Sequence, residues 1–125
     1  MSGETGVVWF LRTSEQQLGA VRLVIVDGRV SHATAAELGR VLADHDGKGL
    51  RGVVVDLSGV DYINGAGLRA FEQAAARLSE AGVELFICGV RPAVQAAFDL
   101  AGAIPNLSLV DSRDVALVRC ERPAE

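Results

Sequence analysis

The sequence predicts a single α/β domain over residues 1–125, in which about four helices cover a mixed, mostly parallel sheet of about five strands. Apolar runs rich in valine, leucine and isoleucine alternate with amphipathic segments, as they do in α/β proteins. The run over 53–57 (VVVDL) is almost wholly apolar, which is typical of a central parallel strand buried on both faces. Half of the residues are apolar, which argues against disorder and suffices for a core.

The chain opens with a predicted antiparallel hairpin. Residues 7–13 (VVWFLRT) and 18–27 (LGAVRLVIVD) are rich in β-formers and predict two strands. The short polar link over 14–17 suits a hairpin connection. Gly28 is expected to end the second strand.

A helix and the central strand follow. Thr34, with Glu37 three residues later, has the capping-box pattern, and the apolar spacing after it predicts a helix over 34–44. The third strand is predicted over 53–57, after a polar, glycine-rich loop. Asp56 ends its apolar run, and a turn-rich segment is expected before the next helix.

The rest of the chain continues this alternation of helix and strand. The predicted elements are a helix over 66–80 ended by Gly82, a strand over 83–88, a helix over 92–100 ended by Gly102, a strand over 107–110 and a helix over 113–120. The order is therefore ββαβαβαβα, and the alternation predicts that the later strands are parallel. The core is expected over about 7–118, with short flexible ends.

The charge pattern excludes some classes of partner. The net charge is −4 and the arginines are scattered, whereas nucleic-acid surfaces cluster their basic residues, so no nucleic acid is expected.

No apolar run approaches the roughly 18 residues of a membrane span, and the N-terminus lacks the pattern of a signal peptide. We therefore expect a cytoplasmic protein without direct membrane insertion. Cys88 and Cys120 are expected to be reduced thiols, although the sequence leaves open whether they are neighbours.

Three segments resemble the STAS domain family. GRVSHATAAEL (28–38) is similar to the family's G-x-L-D-x-x-T-A-x-x-L, and VVVDLSGVDYINGAGL (53–68) to its strand that ends in D-L-S and leads to D-S-[SA]-G-L. ICGVRPAVQAAFDLAG (87–102) is similar to its strand followed by P-x-V-x-x-x-[FL]-x-x-x-G. The resemblance covers about 7–118 and implies a STAS-type fold.

The resemblance also implies a function. Anti-sigma factor antagonists of this family are non-enzymatic regulators that bind an anti-sigma factor, which is also a kinase, and thereby free the sigma factor. The kinase phosphorylates a Ser or Thr at the start of the helix after the third strand, and binding is lost. Gly65 occupies that position here, Asn64 replaces the preceding Asp, and Ser31 replaces another Asp of the motif. No phosphorylation is therefore expected at Gly65, whereas another Ser or Thr remains open.

The predicted partner-binding surface joins the loops after the second and third strands. Its candidate residues are Ser31, His32, Thr34, Asp61, Asn64, Gly65, Ala66, Gly67, Leu68 and Arg69. Asn64 or Gly65 is expected to cap the next helix, and Gly65 to adopt a positive φ. Asp56 and Ser58 are expected to structure the loop. A tight, well-capped loop without a partner is the alternative.

Other readings have less support. Asp44, His45 and Asp46 are potential metal ligands, but no second cluster completes a site, so no metal or cofactor is expected. No base at a readable spacing pairs with Ser58, so no enzyme is predicted. Two other functions remain open: a STAS subunit of an ABC-type lipid transport complex, and a nucleotide or small-anion binding module that uses a helix N-terminus. No lysine lies near the loop, which argues against the second. Partner identity and oligomeric state also stay open.

Overall fold

A computed structural model describes residues 11–43 and 49–121 of the chain. The elements are β1 (Leu11–Leu18), β2 (Val21–Val30), α1 (Ala35–Ala43), β3 (Gly52–Ile63), α2 (Gly65–Glu80), β4 (Glu84–Cys88), α3 (Pro92–Ala101), β5 (Leu107–Leu109) and α4 (Arg113–Glu121). The sheet order is β1-β2-β3-β4-β5, with β1 antiparallel to β2 and the other neighbours parallel. The predicted α/β class and the order ββαβαβαβα are confirmed.

The helices divide unequally between the two faces of the sheet. Right-handed crossovers between consecutive parallel strands place α1, α2 and α3 on one face. There they build the larger core with Phe71 and Phe98, whose ring centroids lie 6.0 Å apart. A smaller cluster on the other face includes Leu23 and Phe86 of the sheet and Ala116 of α4. The central strand is buried on both faces, as its apolar run predicts.

The predicted hairpin link over 14–17 is wrong. Those residues belong to β1, and Leu18 pairs with Val21, so the two-residue turn is Gly19–Ala20. Gly19 adopts a φ of 64°, which suits the first turn residue of a tight hairpin. Residues 14–17 are polar because β1 is an edge strand of the sheet and exposes most of its residues. Residues 7–10 of the first predicted strand lie outside the described residues.

The predicted ends of the second and third strands are also wrong. Gly28 does not end β2, which continues to Val30, and the segment expected to be turn-rich after Asp56 continues β3 to Ile63. The two strands stay paired through register shifts, and Gly28, with a φ of 117°, lies beside one of them. Because β4 pairs with β3 only as far as Asp56, β2 and β3 project beyond β4.

Candidate functional site

The carboxyl ends of β2 and β3 lie side by side, so the loops that follow them meet. Val30 pairs with Ile63, and the Asn64 N–H donates to the Val30 carbonyl over 3.1 Å. The first turns of α1 and α2 begin directly afterwards. We call this surface, residues 29–34 and 61–69, the β2–β3 edge. It contains every candidate partner-binding residue from the sequence.

Asn64 caps α2. Its side-chain oxygen accepts from the N–H groups of Ala66 over 3.1 Å and Gly67 over 3.2 Å. Of the two residues expected to cap this helix, the structure therefore assigns the cap to Asn64. Because the cap already satisfies two of the free N–H groups of α2, it leaves fewer donors for an anion at this terminus.

The two glycines of the first turn of α2 differ. Gly65 is exposed, and the expected positive φ is wrong, because Gly65 is not among the glycines with positive φ. A Cβ added to Gly65 would meet no atom within 4 Å. Gly67 is buried, and a Cβ there would lie 2.5 Å from Val30 Cγ1 and 2.7 Å from Ile63 Cγ1. Packing therefore requires glycine at 67 and permits a side chain at 65.

Ser31 and Thr34 are buried, and their hydroxyls organise the loop before α1. Thr34 Oγ1 donates to the Arg29 carbonyl over 2.6 Å and accepts from the Ser31 N–H over 3.0 Å. Ser31 Oγ accepts from the Ala33 N–H over 3.2 Å. The Thr34 hydroxyl therefore turns back to the loop rather than forward as in the expected capping box, and α1 begins at Ala35.

The side chains available to a partner are a subset of the candidates. His32, Asp61 and Arg69 are exposed, whereas Ala66 and Leu68 are half-buried. The structure brings them to one surface, because the carboxyl ends of neighbouring parallel strands face the same way.

Two residues of this edge were not predicted as site residues. The Arg29 guanidinium lies 5.1 Å from the centroid of the Tyr62 ring, and its Nε lies 3.9 Å from Asp61 Oδ1. Tyr62 is the single tyrosine of the chain and is 36% exposed. The sequence signal for Tyr62 was an aromatic residue in a polar stretch. Because that stretch was predicted to be a turn and not a strand, nothing in the sequence placed Tyr62 beside Arg29.

Asp56 and Ser58 lie where β3 passes the end of β4. Asp56 Oδ1 accepts from the Ser58 N–H over 2.9 Å, and Asp56 Oδ2 accepts from Arg113 Nη2 of α4 over 2.8 Å. Burial raises the pKa of Asp56, but the hydrogen bonds from Ser58 and Arg113 outweigh it and hold this pKa below its ordinary value of 3.8. The carboxylate therefore stays ionised and ties α4 to β3.

Cys88 is opposite Asp56 in the sheet and is also buried. Burial, with a further contribution from the Asp56 charge, raises the pKa of Cys88 to about 11, against an opposing effect of Arg113. A thiol with a raised pKa is a poor nucleophile at neutral pH.

Over residues 11–43 and 49–121 no group of three or more His, Cys, Asp or Glu side chains is placed to hold a metal ion. Asp44, His45 and Asp46 lie outside the described residues. Among the helices that the structure describes, none has the length and apolar character needed to cross a membrane.

The STAS domain family model matches residues 13–116. This chain belongs to the STAS domain family. It is 31% identical over 106 residues to BtrV of Bordetella bronchiseptica, a proposed anti-sigma factor antagonist, and the match covers 85% of this chain and 91% of BtrV. The resemblance of the three sequence segments to the STAS domain family is confirmed.

Two solved structures show the same fold. An anti-sigma factor antagonist from Mycobacterium paratuberculosis superposes with a TM-score of 0.77 at 23% identity, covering 90% of this chain and 96% of that one. A proposed anti-sigma factor antagonist from Thermotoga maritima gives a TM-score of 0.79 at 15% identity, covering 88% and 95% of the respective chains. At these identities the likeness shows the fold alone.

Proposed function

We propose that this STAS protein is an anti-sigma factor antagonist, a non-enzymatic regulator that binds an anti-sigma factor and so influences sigma-factor-dependent transcription. The 31% identity to BtrV over most of both chains carries the proposal. The Mycobacterium paratuberculosis relative, which is also an anti-sigma factor antagonist, adds a match in fold.

The β2–β3 edge is the proposed binding surface. His32, Asp61 and Arg69 offer exposed polar contacts there, and Tyr62 adds an aromatic side chain of the type enriched in binding hot spots. The buried Ser31 and Thr34 hydroxyls would act indirectly, by holding the loop that presents His32.

The binding is proposed to be independent of phosphorylation at the usual family position. Gly65 has no hydroxyl, so a kinase has no acceptor there. The space around Gly65 would accommodate a side chain, so packing does not explain the glycine.

A charge reversal tests the surface. The full chain, tagged and purified from its own host, should retain an anti-sigma factor that mass spectrometry identifies. Asp61→Lys should weaken the calorimetric affinity for that factor by about tenfold or more, because Asp61 is exposed on the edge. Glu84→Lys is the matched control, since Glu84 is exposed at the opposite end of the sheet, where β4 begins. Equal losses in the two variants would contradict the edge assignment.

A second experiment tests the missing switch. Incubated with the retained anti-sigma factor and ATP, the wild-type chain should keep its intact mass, whereas Gly65→Ser should gain one phosphoryl group. Gly65→Ser is expected to fold because the site leaves room for its side chain. A phosphate mapped to Ser31, Thr34 or Ser58 of the wild-type chain would show that the switch is relocated rather than lost.

A further inference from the structure

A groove runs between α1 and α2 and begins at the β2–β3 edge. Both helices start at that edge and return in parallel towards the other end of the sheet, because each connects two parallel strands. The groove measures about 320 Å³. Ala36 and Gly39 line it from α1, and the buried Ala74 lines it from α2. The small side chains leave room for another backbone to approach closely.

The groove is basic although the protein is acidic. Arg40 of α1 and Arg77 of α2 line it, both are exposed, and neither guanidinium forms a hydrogen bond or an ion pair with the described residues. Among the described residues no carboxylate lines the groove, whereas the chain as a whole carries a net charge of −4. Arg69, Gln73 and Arg77 follow one another at intervals of four on the same ridge of α2, so the basic path continues from the β2–β3 edge into the groove.

Gly39 adds an independent observation. It lies within α1, where glycine costs roughly 0.5–1 kcal/mol relative to alanine. Its φ is not positive, and a Cβ would meet no atom within 4 Å, so the fold of the chain itself does not require glycine there. Glycine is expected where the backbone of a ligand comes close, and Gly39 faces an open groove although the fold does not require glycine there.

We infer that this groove receives an acidic amphipathic helix of the anti-sigma factor, an inference that rests on the proposed function. The small residues of the groove accept the helix backbone, and carboxylates on the helix pair with Arg40 and Arg77. This is helix-in-groove recognition with charge complementarity between the partners. The helix extends the contact made at the β2–β3 edge along the face built by α1 and α2.

Calorimetric titration of the full chain with the anti-sigma factor retained from its host tests the inference. Arg40→Glu and Arg77→Glu should each weaken affinity by about tenfold, and reversing a carboxylate on the partner helix to Arg should restore part of the loss. Arg12→Glu is the matched control, because Arg12 is exposed on β1 and lies on the sheet face opposite the groove. It pairs across the strands with Asp27, which lies on the same face as Val21, and Val21 packs against α4. Gly39→Leu fills the groove without a Cβ clash and should weaken binding while the melting temperature is kept.

The outcomes separate the two proposals. A wild-type chain that binds no anti-sigma factor overturns both. Binding that is weakened by Asp61→Lys but unchanged by Arg40→Glu, Arg77→Glu and Gly39→Leu overturns only the groove. If Gly39→Leu abolishes self-association in sedimentation and leaves partner affinity unchanged, the occupant is a second copy of this chain and the inference falls.

Discussion

Gly65 and Gly67, two residues apart in the first turn of α2, have different physical roles. A methyl group at Gly67 would press on Val30 and Ile63, the residues that end β2 and β3, because its Cβ would lie 2.5 and 2.7 Å from their side chains. A methyl group at Gly65 would meet open space. Glycine at 67 therefore allows α2 to start directly against the strand ends.

A pair of alanine substitutions measures the difference. Gly67→Ala should lower the free energy of unfolding by about 1–3 kcal/mol, the usual cost of overpacking. Gly65→Ala should change it little or raise it by about 0.4–1 kcal/mol, because alanine restricts the unfolded chain. Urea denaturation of both variants checks this, and equal midpoints would show that the contacts at Gly67 relax without cost.

The sequence narrowed the N-cap of α2 to two residues, Asn64 and Gly65. The hydrogen bonds from the N–H groups of Ala66 and Gly67 to the Asn64 side chain decide between them. The positive φ expected for Gly65 failed because an Asn-Gly pair is a turn signal only when no helix begins at the glycine. Local motifs thus predicted where α2 starts, but not the conformation of its first residue.

The helices and the strands differed in how well the sequence predicted them. Helix bounds depend on apolar spacing and caps within the segment itself, and α3 begins at Pro92 as predicted. Strand ends depend on a partner strand that is distant in sequence. Residues 57–63 are glycine-containing and polar in places, yet they remain a strand because they pair with the end of β2. No local pattern contains that pairing.

The contact of α4 with β3 includes an ion pair that responds to pH. Asp56, whose side chain is 11% exposed, accepts from Arg113 at the start of α4. Because the folded-state pKa of Asp56 is lowered, its contribution to stability is fully present above the unfolded pKa and is lost as the pH falls through the folded value. The loss therefore begins below about pH 4, near the usual pKa of an aspartate.

Asp56→Asn tests this element contact. The variant should be less stable than the wild type by about 1.5–3 kcal/mol at pH 7, the range for a hydrogen bond to a charged group. The difference should shrink as the pH is lowered below about 4. Chemical denaturation across this pH range measures it, with Asp114→Asn, an exposed carboxylate on α4, as the control. A stability gap that stays constant down to low pH would exclude Asp56 as the titrating group.

At the scale of the whole molecule, the sequence predicted the order of the elements, the parallel direction of the later strands and which loops meet. These follow from the alternation of elements and from the rule that parallel strands end at one edge. The groove between α1 and α2 could not be predicted in the same way. It depends on how Ala36 and Ala74, on helices separated by a strand, face each other after packing. Tyr62 was missed for a related reason, since its contact with Arg29 exists only once β2 and β3 are paired.

The positions of the two cysteines resolve a question that the sequence left open. Cys88 is opposite Asp56 at the end of β4, whereas the sulfur of Cys120 packs where a Cβ of Gly52 would lie, at the start of β3. Asp56 lies four steps beyond Gly52 along β3, or about 13 Å at the rise of a strand. A disulfide needs Cα atoms within roughly 7 Å, so the two thiols cannot pair without movement of the backbone.

Treatment of the native chain with diamide should leave two titratable thiols after denaturation, whereas oxidation in urea should allow the bond. A native protein that loses both thiols as an intramolecular disulfide, seen by intact mass, would mean that α4 leaves the sheet readily enough to bring Cys120 to Cys88.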